Sequence, residues 1–211
     1  MILFVTMLLI SPLAAAGGEQ KFVVDDPAGR NSVTFKSEAP LEDIVGTSNQ
    51  ITGHIIFNPE NPGEKGSAEF TVPISSLNTG IPLRDEHMRS EDWLDAGSYP
   101  DIKLNLDRVL EAKLVRETAS GKTFEARVAG EIDLHGVTRP VEVESRLSYL
   151  PESEKTKTRL AGNLLAVRAE FEVRLADHGI TGPQGMEIIG AKVGEVITIE
   201  VSLVAGTVDS N

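Results

Sequence analysis

The chain has 211 residues and contains 20 Lys and Arg against 32 Asp and Glu, which gives a formal net charge of −12. This length fits one domain with a packed core. The acidic balance excludes nucleic acid and anionic membrane surfaces as first candidates, because those partners require clustered Lys and Arg. The chain has no cysteine, so disulfides, thiol nucleophiles and cysteine-ligated metals are excluded as well.

The first sixteen residues form an uncharged, mainly apolar segment. Its apolar run ends at Ser11-Pro12, and three alanines follow at 14–16. An apolar core followed by a small-residue cleavage box is typical of an export signal, although no Lys or Arg precedes it here. The segment is shorter than the roughly 20 apolar residues of a membrane-spanning helix. We therefore predict a signal peptide at 1–16, one domain at 17–211 and no stable membrane insertion after cleavage. An uncleaved anchor or a misassigned start is the alternative.

The rest of the chain is dominated by alternation of apolar and polar residues, the pattern of strands with one buried and one wet face. Turn residues separate the alternating segments, so we predict about eight antiparallel strands in a barrel or sandwich. The signals before residue 69 are fainter than those after it. The alternating segments are 22–24, 32–35, 50–57, 70–74, 102–106, 124–128, 141–149, 167–175 and 197–203.

One segment, 83–94, departs from this alternation. Apolar spacing at Leu83, at His87 or Met88, and at Leu94, with acidic residues near its start, predicts a short helix lying across the sheet.

Motifs of common catalytic and metal sites are missing. The four histidines at 54, 87, 135 and 178 have no zinc-ligand spacing, and no G-x-S-x-G elbow occurs. The run 120–123 imitates the end of a phosphate-binding loop, but Arg116 stands where its first glycine belongs. We predict no catalytic residue, no metal and no cofactor.

The densest polar cluster is 84–93, which contains the only tryptophan. One interpretation is a mouth or lid in which Arg84, His87, Arg89 and Trp93 meet a polar or anionic head group. The alternative is helix capping and local ion pairs, with Trp93 holding the helix against the sheet. A third hypothesis is an enzyme that uses Asp85 and His87 as an acid and base pair.

The same region carries a long motif. The stretch PISSLNTGIPLRDEHMRSEDWL at 73–94 continues to 99–102, and further matches follow at 130–138, 175–180 and 189–194. This pattern resembles the YceI-like family, the polyisoprenoid-binding proteins. The resemblance implies an eight-stranded antiparallel, lipocalin-like β-barrel with a short helix at one end. It also implies a periplasmic protein that holds a long isoprenoid or related amphiphile in its lumen without catalysis.

Two departures from the family pattern concern the ligand. The first strand leads to Arg30-Asn31-Ser32 rather than to a His-Ser pair. In the late motif Leu175 replaces a common Arg, and His178 stands where an aromatic residue is common. These positions leave the identity of the lipid open.

The apolar phase of the strands supplies the expected lumen contacts, for which ordinary core packing is the alternative role. Burying an isoprene unit contributes about 3 to 4 kcal/mol and association costs about 4 to 15, so only a long chain would be held. A filled barrel that acts through a protein partner, such as a membrane redox or quinone system, is the competing hypothesis, and a homodimer is also open. The expected contacts are Phe57, Phe70, Val72, Ile102, Leu104, Val128, Val143, Phe171 and Ile199.

Overall fold

The computed structural model describes residues 18–39, 42–182 and 193–207. The predicted signal peptide at 1–16 lies outside these residues. Strands and one α-helix, α1, make up most of the described chain, with short 3-10 helices at Ile74–Ser76, Thr156–Thr158 and Leu175–His178. The elements are β1 (Gln20–Val24), β2 (Ser32–Glu38), β3 (Asp43–Ser48), β4 (Thr52–Phe57), β5 (Ser67–Pro73), α1 (Pro82–Arg89), β6 (Asp101–Thr118), β7 (Gly121–Leu134), β8 (Val137–Leu150), β9 (Leu164–Arg174) and β10 (Val196–Thr207).

Eight strands close into an antiparallel barrel in the order β1-β4-β5-β6-β7-β8-β9-β10. The ring closes where Phe22 pairs with Thr207 and Val23 pairs with Gly206. The strand β2 pairs with the other half of β10, and β3 lies beside β2. Two short strands therefore share each of two positions in the wall. β1 and β2 both lie beside β10, and β4 and β3 lie beside β1 and β2 in turn. The predicted eight-stranded antiparallel barrel is confirmed.

A polar side chain bridges the break between β1 and β2. The Asn31 Oδ1 accepts a hydrogen bond from the Val204 N–H at 2.9 Å, and the Asn31 Nδ2 donates to the Val204 carbonyl at 3.3 Å. The buried amide thus occupies the place that a strand residue would take beside β10. Because an unpaired buried backbone group is costly, Asn31 allows the wall to stay continuous across the break.

The loop between β1 and β2 is also held by Asp26, whose side chain is buried. Its carboxylate accepts hydrogen bonds from the Arg30 Nε at 2.8 Å and the Arg30 Nη2 at 2.9 Å, and Arg159 lies 3.3 Å away. The hydrogen bond from Arg30, partly opposed by burial, lowers the pKa of Asp26 to about 2. The ionised carboxylate is therefore favoured in the folded state.

Replacing this carboxylate tests its contribution to stability. We expect Asp26→Asn to lower the free energy of unfolding by about 1 kcal/mol at neutral pH, a value reduced by the partial exposure of Arg30. The folded-state pKa lies below the ordinary value of 3.8, so this contribution is present above pH 4 and is lost as the pH falls toward 2. Urea unfolding across this pH range should show that the difference in unfolding free energy between the wild-type protein and Asp26→Asn becomes smaller as the pH falls. A difference that stays constant with pH would contradict the stabilising role of the ionised Asp26 carboxylate.

The helix α1 is shorter than the predicted segment 83–94. It begins at Pro82, which suits the first helical position because its fixed φ is helical and it lacks an N–H. It ends at Arg89, where the Ser90 N–H and Oγ both donate to the His87 carbonyl. Leu94 is in the turn that follows, with its N–H bonded to the Met88 carbonyl at 3.1 Å. The apolar spacing predicted too long a helix because it included Leu94, which packs against the core from this turn.

The barrel has two different ends. At one end, called the α1 end, lie α1, the termination of β9 and the β7–β8 turn, in which His135 and Gly136 both have positive φ as a two-residue type I′ turn requires. The other end, called the far end, is filled by aromatic side chains. The Phe57 and Phe124 rings pack edge to face at 5.4 Å, and Phe22 and Tyr149 do so at 6.3 Å.

Candidate ligand-binding cavity

The barrel encloses a cavity of about 1070 Å³ that reaches from the α1 end toward the aromatic cluster. An eight-stranded barrel is just wide enough either to be filled by side chains or to hold one ligand, and this one is open. Pockets for drug-sized ligands occupy about 300–1,000 Å³, so the space suits one long molecule. The hypothesis of a filled barrel does not agree with this lumen.

The structure places all nine residues predicted for the lumen on the cavity wall. They come from the inward faces of β4 to β10, as the alternation required, and none faces solvent on the outer surface. Their contact with a ligand remains a prediction. The nine are Phe57, Phe70, Val72, Ile102, Leu104, Val128, Val143, Phe171 and Ile199.

A row of small side chains widens the lumen on one wall. Ala126, Ser145 and Ala169 lie directly opposite one another on β7, β8 and β9, and all three line the cavity. The Ser145 Oγ donates to the Ala126 carbonyl at 3.2 Å, so the hydroxyl is paired within the wall. Larger side chains form the neighbouring row toward the far end, namely Phe124, Leu147 and Val167.

Sequence reasoning missed this row as part of the site. Ala126 and Ala169 stand in the apolar phase of the alternating segments 124–128 and 167–175, but the predicted lumen contacts are all bulky residues. The signal that could have found the row is the placement of small residues at inward positions of three consecutive strands. In a barrel wall such residues leave space, and that space is where a ligand fits.

Three of the four residues predicted for the mouth line the cavity, namely Arg84, His87 and Trp93. The Arg84 Nε donates to the Thr79 Oγ1 at 3.1 Å, and its Nη1 lies 3.7 Å from the Glu42 Oε1. The guanidinium charge is therefore largely balanced before any ligand arrives. His87 is exposed at the entrance. Trp93 is half-buried and packs over Gly182, where a Cβ would lie 2.8 Å from the indole ring.

The fourth predicted residue, Arg89, is not on the cavity wall. Its Nη2 donates to the Leu77 carbonyl at 2.6 Å, and its buried Nε has no hydrogen-bond partner among the described residues. This bond ties the last turn of α1 to the segment that follows β5. The structure thus gives Arg89 a role in positioning the helix, because its side chain leaves α1 on the side that packs against the barrel.

Asp85 anchors the first turn of α1. The buried Oδ1 accepts hydrogen bonds from the Thr79 N–H at 2.8 Å and the Thr79 Oγ1 at 2.6 Å. Burial acts to raise the pKa of Asp85, but the bonds from Thr79 and the charges of Arg89 and Arg84 outweigh it, so the pKa is lowered. His87, two positions later, is exposed, and residues two apart on a helix do not face each other. The structure therefore does not assemble the hypothesised acid and base pair.

Two of the other histidines, His135 and His178, have backbone partners. The Nδ1 of buried His178 is 2.8 Å from the Val137 carbonyl, and the Nδ1 of His135 is 3.2 Å from the His178 carbonyl. Within residues 18–39, 42–182 and 193–207, no group of three or more His, Cys, Asp or Glu side chains could hold a metal ion. No helix in this same part of the chain has the length and apolar character needed to cross a membrane.

Comparison with known proteins places this cavity in a family context. Residues 23–205 match the model of the YceI-like domain. A UPF0312 protein of Pseudomonas savastanoi is 30% identical over 165 residues, 77% of each chain. Another, of Vibrio campbellii, is 30% identical over 145 residues, 68% of this chain and 71% of that one. A third, of Pseudomonas fluorescens, is 36% identical over 125 residues, 59% of this chain, which spans only 61% of that protein's length.

Two solved structures share the fold at low sequence identity. Burkholderia cenocepacia BcnA superposes with a TM-score of 0.63 at 15% identity, covering 86% of this chain and 99% of its own. A polyisoprenoid binding domain from Saccharophagus degradans, implicated in plant cell wall breakdown, gives 0.61 at 18% identity, covering 89% and 98%. The match of the family model across nearly all of the described barrel decides the assignment: this chain belongs to the YceI-like family.

Proposed function

We propose that this protein is a non-enzymatic carrier that binds a long-chain isoprenoid or a related amphiphilic lipid in the barrel lumen. The observation that carries the proposal is the open cavity of about 1070 Å³ with an apolar wall. Among the described lining residues, four ionisable ones lie at the entrance, namely Glu42, Arg84, His87 and Asp92, and one, Arg108 of β6, lies elsewhere. This gradient suits a molecule with an apolar tail and a polar head.

The energetics favour a long tail. One isoprene unit contributes about 3 to 4 kcal/mol on burial, whereas association costs about 4 to 15 kcal/mol. A lumen that accepts several units can therefore bind a polyprenyl chain well and a short terpene poorly. Fatty acyl chains are bound by the same CH₂ burial, so the preference for isoprenoids rests on family membership and on the polyisoprenoid-binding relative from Saccharophagus degradans.

The polar head would lie at the α1 end. The Arg84 guanidinium is held by Thr79 and Glu42, so it can donate its remaining N–H groups to a head group without bringing an unbalanced charge. His87 stands exposed beside it. The apolar segment with a cleavage box at residues 1–16 supports export, and we place the carrier in the periplasm on that basis.

Native mass spectrometry of the protein purified from its own host tests this function. Organic extraction then identifies whatever lipid is released. We expect a stoichiometric adduct whose mass corresponds to a polyprenyl or quinone-like lipid. A clean apo mass that stays unchanged after incubation with long-chain lipids would overturn the proposal and favour a barrel that acts through a protein partner.

A further inference from the structure

Two apolar side chains at the entrance of the cavity face the solvent. Ile81 is 48% exposed and Leu83 is 61% exposed, the two largest values among the exposed large hydrophobic side chains of the described chain. Both residues also line the cavity. The lining of the lumen therefore extends onto an exposed apolar edge, which we call the mouth rim and define as Ile81 and Leu83.

The mouth rim is held in place by its own segment. The buried Asp85 carboxylate binds the Thr79 N–H and hydroxyl, and the Asp85 N–H donates to the Ile81 carbonyl at 3.0 Å. Pro82 between the rim residues fixes its own φ. These constraints keep the backbone of the rim in one position. Leu83 is exposed because α1 presents it outward and packs its other side, which carries Asp85 and Met88, against the barrel.

This inference rests on the proposed binding of a long-chain lipid, because the exposed rim matters when the tail enters or leaves the lumen. A tail that leaves the lumen through water exposes every CH₂ group on the way, and each exposed group lowers the rate of escape. A tail that passes directly into a bilayer keeps those groups covered. We propose that the mouth rim is the surface by which the protein docks on a lipid bilayer to load and release its ligand.

The charges around the rim define the kind of bilayer. Arg84 is paired with Glu42 at 3.7 Å, and the exposed Asp92 also lines the entrance. The whole chain has a net charge of −12. Anionic lipids attract basic segments, and the described residues of this entrance have no excess of positive charge. The rim therefore docks on a neutral, zwitterionic surface through its apolar side chains, and the contact depends little on salt.

Transfer kinetics test the proposal. The protein is loaded with a fluorescently labelled long-chain polyprenol and mixed with phosphatidylcholine vesicles, and the appearance of the probe in the vesicles is followed. We expect the transfer rate of the wild-type protein to rise with vesicle concentration, as direct contact requires. Leu83→Ser should slow transfer about tenfold, the effect of losing one buried leucine contact, and Ile81→Ser should act in the same direction.

The far end supplies a matched control. Leu114 of β6 is 44% exposed and does not line the cavity, so Leu114→Ser should transfer at the wild-type rate. Thermal unfolding of each variant verifies folding, and the equilibrium affinity for the probe is measured in parallel. Failure of the wild-type protein to bind the probe would instead reject the proposed function itself.

Three results would overturn the docking surface with the carrier function intact. The first is a wild-type rate that does not depend on vesicle concentration, because the probe then leaves through water. The second is equal slowing by Leu83→Ser and Leu114→Ser. The third is a rate that rises when phosphatidylglycerol is added and falls with salt, because docking would then be electrostatic.

Discussion

Replacing Ala169 with tryptophan should strongly weaken binding of long-chain lipids and leave the barrel folded. Ala169 lies in the row of small residues in the middle of the wall and faces the cavity. An indole at this position occupies space that the tail needs. If it excludes a single isoprene unit, the loss of about 3 kcal/mol lowers the affinity about a hundredfold. Fluorescent polyprenol titration and native mass spectrometry both measure this loss.

The stability of this variant should change little. Overpacking a full core costs about 1 to 3 kcal/mol, but the side chain of Ala169→Trp enters open space, so we expect the lower end of that range. Glu172→Trp is the matched control, because Glu172 is on the same strand, is exposed and does not line the cavity. Equal loss of binding in both variants, or normal binding by Ala169→Trp, would show that the lumen is not where the lipid binds.

The strands β5 and β7 to β10 could be predicted because their alternation is regular. In β7 to β10 one face is more deeply buried than the other, so a period of two is visible in the sequence. The helix could be located but not delimited, because Leu94 packs on the core from a turn and continues the apolar spacing.

Two parts of the barrel could not be predicted, for different reasons. The strand β3 places Gly46 inward, where the Phe35 ring occupies the space that a Cβ would take, and leaves Val45 exposed on the outside. Ile44 and Gly46 face inward while Val45 faces outward, so the strand shows no clear alternation of apolar and polar residues. The strand β6 extends from the predicted 102–106 to Thr118, but register shifts at Leu106/Arg108, Val109/Glu111 and Leu114/Arg116 change which residues face inward. Each bulge resets the alternation that sequence reasoning depends on.

In the candidate site, the residues of the wall could be predicted from the sequence and those of the mouth only in part. The nine lumen residues followed from strand phase alone, because a period of two fixes which side chains point inward. The mouth residues did not, because a short helix lies over the entrance and the direction of each side chain depends on how that helix packs. Arg89 bonds to the Leu77 carbonyl instead of facing the cavity. Glu42, which balances Arg84, lies directly before β3, and no local pattern indicates its place at the mouth.

Truncation of Phe57 should both destabilise the barrel and lengthen the lumen. The ring is buried, lines the cavity at the far end and packs on Phe124. Removing such a ring costs about 3 to 5 kcal/mol, which is a large part of the stability of a single domain. Phe57→Ala should therefore have a much lower unfolding midpoint in urea. It should also bind longer prenols than the wild-type protein prefers, measured with a series of increasing chain length.

Phe22→Ala separates these two effects. Phe22 is also buried and lies on the neighbouring strand, where it packs on Tyr149, but it does not line the cavity. We expect a similar loss of stability and no change in the preferred chain length. If both variants shift the length preference equally, the change comes from a loosened barrel rather than from the end of the lumen. If neither does, the tail stops short of the aromatic cluster, and the far end is a structural plug that the ligand does not reach.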